Sequence, residues 1–129
     1  MEEAMDNIIY STATEIAQAI RDRQISSEEA VQAHLDRIEE VNPKLNAVVL
    51  LTARPAIKAA RRADEAVAAG DELGPFHGVP VTIKDAYEVA RVVSTGGTLG
   101  RKDYVPEIDA IPVARLRKAG VVILGKTNL

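Results

Sequence analysis

Three short apolar runs constrain this chain most: Ala47-Val48-Val49-Leu50-Leu51, Val79-Pro80-Val81-Thr82-Ile83 and Val121-Val122-Ile123-Leu124. Runs of this length, bounded by polar or glycine-containing segments, read as strands buried on both faces. Segments of helical period lie before and between them, giving the order α-α-β-α-β-loop-α-β. Such alternation specifies an α/β sheet with parallel neighbours.

The helices announce themselves by their ends. Thr12-Ala13-Thr14-Glu15 and Ser26-Ser27-Glu28-Glu29 both fit a capping box, in which a hydroxyl accepts from an early amide and a glutamate reaches back. Ile16, Ala17 and Ile20 share one face after the first cap. Val31, Leu35, Ile38 and Val41 do so after the second, and Asn42-Pro43 is expected to stop that helix. Pro55 opens a third helix with Ile57, Ala60, Ala63 and Val67 inward, and Gly70 closes it. Asp109 is expected to cap a fourth, which ends at Gly120. Between Val89 and Ile108 the sequence is irregular and glycine-containing, a loop long enough to be functional or mobile. Pro80 lacks an amide donor, so it belongs at the start of its strand or on an unpaired side.

Composition excludes several classes. The 129 residues allow one domain with a real core, and 47% hydrophobic with 27% charged content is that of an ordinary globular chain. No apolar run approaches a membrane span, and Met1-Glu-Glu-Ala-Met5-Asp6 is too acidic for a secretory leader. A net charge of −3 argues against direct nucleic-acid binding. The absence of cysteine excludes disulfides and thiol catalysis and is compatible with a reducing, cytoplasmic location. After Leu124 only Gly125-Lys126-Thr127-Asn128-Leu129 remains. Three strands buried on both faces and four short helices make a poor closed unit, so residues 1–129 are expected to be the N-terminal portion of a larger domain.

Gly120-Val121-Val122-Ile123-Leu124-Gly125-Lys126-Thr127 satisfies the phosphate-loop pattern, but its four middle residues are themselves the strand. A phosphate loop needs the strand before the first glycine, so the match is a decoy. Ser94-Thr95-Gly96-Gly97-Thr98 reads as an anion cradle or, more simply, as a loop. His34 and His77 are isolated, which does not make a metal site, and no metal or other cofactor is expected. Asp103, Glu107 and Asp109 read as surface and capping charges. Lys84 is the remaining candidate. It ends an apolar strand, where open α/β sheets place their crevices, and partial desolvation there would make its amine usable as a base. On spacing alone, the simpler expectation is that it pairs with Asp85 or reaches into solvent.

Gly74-Pro75-Phe76-His77-Gly78-Val79-Pro80-Val81-Thr82-Ile83-Lys84-Asp85 resembles the G-P-L-H-G-[VIL]-P-x-x-[VIL]-K-D segment of the amidase signature family. Asp109-Ala110, the stretch Val113 to Gly120, and Leu124-Gly125-Lys126-Thr127-Asn128 are similar to a second long motif of that family. The front of the chain, including Asn42 to Val48, looks like its paired N-terminal helices and first strand. The resemblance implies part of a mixed, mostly parallel sheet flanked by helices. It implies hydrolysis of carboxamide C–N bonds by a Ser–cis-Ser–Lys triad in which Lys84 is the catalytic lysine.

The family's glycine-serine signature has no counterpart here: Ser11, Ser26, Ser27 and Ser94 do not match it. Arg91 stands where many members carry glycine. The chain alone is therefore expected to be catalytically silent, with a small-molecule amide as substrate and the remainder of an amidase chain as partner. Two alternatives stay open. One is the amidase component of the glutamine-dependent amidotransferase that corrects misacylated transfer RNA; the other is a binding fragment that self-associates through uncovered strand edges.

Overall fold

Both hydroxyl-led caps form. In the computed structural model, which describes residues 8–129, the Thr12 and Ser26 side chains accept from the amides of Glu15 and Glu29, and each glutamate returns a bond to its cap. The expectation for Met1–Asp6 lies outside the described residues. Helix α1 runs over Ala13–Arg21 and α2 over Ser27–Leu45. Helix α3 spans Ala53–Ala68 and α4 Ile111–Ala119, while the strands are β1 (Val48–Leu51), β2 (Pro80–Lys84) and β3 (Val122–Thr127).

The second helix passes through Pro43 instead of stopping at it. Asn46 ends it, with a left-handed φ of 48° and its amide bonded to the Asn42 carbonyl. Asn42 is then free to lead into β1: its side-chain amide exchanges two hydrogen bonds with the backbone of Val48, at 2.9 and 2.8 Å. Pro55 lies inside the first turn of α3, which begins at Ala53; Gly70 follows its end with φ 72°, the expected left-handed stop. At α4 the expected aspartate cap is absent. Ala110 holds the cap position, and Asp109 instead accepts from the Ala90 amide across the loop and from Arg117 two turns along α4.

The strand order is β1-β3-β2, with β3 antiparallel to β1 and parallel to β2. The sheet is thus mixed, and Pro80 is the first residue of its strand as anticipated. Burial on both faces holds for β3 alone: Val49 and Leu51, which share one face of β1, are exposed. One face of β3, through Val122 and Leu124, packs on Val31, Leu35, Ala56 and Ala60 of α2 and α3. The other, through Ile123, packs with Ile83 on Val89 and Val113. A third cluster joins α1, through Ile16, Ala17 and Ile20, to Ala30 of α2 and to Val79.

An irregularity in register matters for everything downstream. Val81 opposes Ile123, but the next pair is Thr82 with Gly125, leaving Leu124 as an extra residue on β3. A bulge of this kind resets side-chain alternation beyond it. Lys126 consequently pairs with Ile83 and shares its face, that of α4 and the loop. Strand alternation then puts Asp85 on the same face, and Lys84 on the opposite one. Gly125 is required at the bulge, since a Cβ there would lie 2.2 Å from the Leu50 carbonyl oxygen of β1. Gly125→Ala should therefore lower stability by about 1–3 kcal/mol or more, the cost of overpacking, read as a fall in the urea midpoint.

Candidate functional site

The site lies where β2 and β3 end side by side. Lys84 projects from the last position of β2, opposite Thr127, and is exposed. Its amine has no hydrogen bond or ion pair among the described residues, so neither the expected desolvation nor the alternative pairing with Asp85 occurs. Thr82 and Lys84 alternate with buried Ile83 and Asp85, so they share the face of β2 that is exposed in this chain.

The buried amine is that of Lys126, which lies in β3 beyond the apolar run that marks this strand in the sequence. Its relative exposure is 0%, and its Nζ donates to Asp85 Oδ1 and to Ser94 Oγ, both at 2.9 Å. Asp85 is itself buried at 5%. Its Oδ1 also accepts from the Thr95 amide at 3.1 Å, and its Oδ2 from the Thr95 hydroxyl. Ser94 completes the cluster by accepting from the Val89 amide and donating to the Val92 carbonyl. Every hydroxyl and charge in this group is matched, as a polar cluster in low dielectric must be.

Backbone bonds lock the same corner. The Asp85 amide donates to Thr127 O and its carbonyl accepts from Gly96 N, each at 3.0 Å, while the Tyr87 amide donates to Lys84 O. The amides of Thr95, Gly96, Gly97 and Thr98 all donate within the loop or to Asp85. None is left for a bound anion, so the segment is a loop and not a cradle. Farther out, Arg101 pairs with Glu88 at 2.7 Å and lies 4.5 Å from the Tyr104 ring centre. The irregular stretch between Val89 and Ile108 is thus tied down along much of its length.

Burial alone pushes the Asp85 carboxyl up. The Thr95 hydroxyl, the Lys126 ammonium and the Thr95 amide outweigh it together and hold the group below the usual aspartate range. A carboxylate depressed in the folded chain stabilises it fully above the unfolded value of about 3.9 and ceases to do so as pH falls through the folded value. Asp85→Asn should therefore flatten the loss of stability below about pH 4, checked by urea unfolding at pH 5 and pH 3.

His77 Nε2 contacts the Ala63 carbonyl at 2.8 Å and His34 Nδ1 the Ala30 carbonyl at 2.7 Å, so both rings bond to helix backbone. Among the described residues, no group of three or more metal-ligating side chains is gathered. Asp109 pairs with Arg117 at 2.7 Å. Arg91 has φ 64°, a left-handed conformation that costs a side-chain-bearing residue about 1–2 kcal/mol. Its departure from glycine is a local strain, and Arg91→Gly should raise unfolding free energy by about 0.5–1 kcal/mol, measured in denaturant.

Known proteins share this architecture. The peptide amidase from Stenotrophomonas maltophilia superposes with a TM-score of 0.85 at 34% identity, over 92% of this chain and 25% of its own. A sequence profile of the Amidase family matches residues 29–129. This chain belongs to that family. It is 43% identical over 125 residues to a glutamyl-tRNA(Gln) amidotransferase subunit from Cutibacterium acnes, covering 97% of this chain and 25% of that protein. It is 46% identical over 117 residues to the indoleacetamide hydrolase of Bradyrhizobium diazoefficiens, covering 91% and 22%. The chain thus spans about a quarter of the length of these relatives. No helix among the described residues is long and apolar enough to cross a membrane.

Proposed function

We propose that this chain is the lysine-bearing segment of a cytoplasmic amide hydrolase whose substrate is a small carboxamide. The observation that carries the reading is the placement of Lys84. Within a segment that resembles the family motif at almost every position, it ends β2 on the exposed face, while the next residue, Asp85, is bonded to Lys126 on the other. The remainder of a longer amidase chain would cover that face and supply the two serines of a Ser–cis-Ser–Lys triad.

In that arrangement the uncharged Lys84 amine accepts a proton through the bridging serine. The second serine's oxygen then bonds to the substrate carbonyl carbon. The C–N bond breaks as the departing nitrogen takes up the proton, leaving an acyl ester that water hydrolyses. Backbone amides of the glycine-serine loop would stabilise the oxyanion. No metal or organic cofactor enters any of these steps.

A second reading is supported by the likeness to glutamyl-tRNA(Gln) amidotransferases: the same triad would release ammonia from glutamine for transfer, without direct contact of this segment with nucleic acid. Glutamine and simple aryl or indolyl amides, offered to the intact enzyme, separate the two by which one turns over. Lys84→Ala in the intact enzyme should lower kcat by about 10²–10⁴-fold, the usual contribution of a positioned base. The isolated 129-residue chain should show no turnover. Near-normal rates for Lys84→Ala would overturn the role given to this amine.

A further inference from the structure

Lys126 is used by no step above, yet it is the most deeply buried charge among the described residues. Burying an ammonium is costly, and apolar replacements of buried ion pairs are often as stable as the pair. Stability alone therefore does not account for a lysine at this position. Its geometry does. The Leu124 bulge turns Lys126 onto the loop face, where Nζ bridges Asp85, at the exit of β2, to Ser94, in the returning loop. Asp85 is the residue immediately after Lys84. Because successive strand residues point to opposite faces, fastening Asp85 inward obliges Lys84 to point outward.

We propose that Lys126 is a positioning residue: its buried ammonium clamps Asp85 and Ser94 together and so fixes the direction in which Lys84 leaves the sheet. The functional meaning rests on the reading of Lys84 as the triad base; the clamp itself does not. Without the bridge, the Asp85 carboxylate keeps Thr95 but loses its link to β3, and Ser94 loses its charged partner. The corner holding Lys84 then opens independently of the helices.

The test is amide hydrogen exchange by NMR on the 129-residue chain. In Lys126→Met, the Thr95, Gly96 and Tyr87 amides should exchange about tenfold faster or more, as expected when a hydrogen bond to a charged group is lost, while Ala60 and Ala63 in α3 change far less. A single variant leaves Asp85 without its cation and risks unfolding. Asp85→Asn/Lys126→Met removes both charges and should show the same local acceleration. Since the sequence has no cysteine, Lys126→Cys can be aminoethylated in denaturant and refolded to return an amine at the same reach. That product should regain the slow exchange.

Unchanged exchange at the three amides, uniform acceleration that includes α3, or no recovery on aminoethylation would each overturn the clamp. In the intact enzyme, Lys126→Met should lower kcat about 10²-fold with KM nearly constant, the consequence of a misplaced catalytic group. Full kcat in Lys126→Met, with Lys84→Ala inactive, would refute positioning while leaving the triad reading intact; activity in Lys84→Ala would refute the latter alone.

Discussion

The end of this sheet depends on one ion pair, Lys126 with Asp85, formed at 2.9 Å with almost no access to water. Two charges removed from solvent are tolerated only when their attraction and additional hydrogen bonds compensate for lost hydration. Ser94 and Thr95 provide those bonds, and in doing so they bring a loop back across the strand ends. The pair therefore does two things at once: it closes the parallel junction of β2 and β3, and it holds the returning loop against them. Removing one partner leaves the other buried and uncompensated, a loss of about 3–5 kcal/mol in comparable sites.

The pair exists because of a defect in the ladder. Had β3 continued in regular alternation, the residue two beyond Leu124 would face α2 and α3, among Val31, Leu35 and Ala60. The extra residue at Leu124 brings Lys126 round to Asp85 instead, and Gly125 makes room for β1 to pass. Lys84 owes its outward direction to the same arrangement. A charge placed inside and a charge placed outside, from neighbouring strands, are two results of one register shift.

What could be read from the sequence was local. The caps at Thr12 and Ser26, the glycine after α3 and the proline at the head of β2 depend on contacts within a few residues, and all were legible. Pro43 misled because the helix continues through it for two more residues, and Asn46 and Asn42 provide the actual ending. Asp109 misled because the folded loop brings the Ala90 amide to its carboxylate and two turns of α4 bring Arg117, so it is engaged away from the cap. The Asp85–Lys126 pair was hidden for the same reason: its members are 41 residues apart, and an apolar run followed by Gly-Lys-Thr reads as a strand ending in a turn. The one available signal was that six residues, Val122–Thr127, suit a strand better than four. Lys84 was legible from its motif, but its exposure was not, since that depends on what packs over its face of β2 and not on its neighbours in sequence.

Central to all of this is a charged amine at Lys126, locked between two oxygens inside the protein. Nitrogen-15 NMR of the lysine side chains tests it directly. The expected result is one ammonium signal, assigned to Lys126, whose protons exchange slowly and show contacts to Ser94, beside the fast-exchanging signal of Lys84. A Lys126 signal that exchanges as fast as that of Lys84, or one without contacts to Ser94, would contradict it.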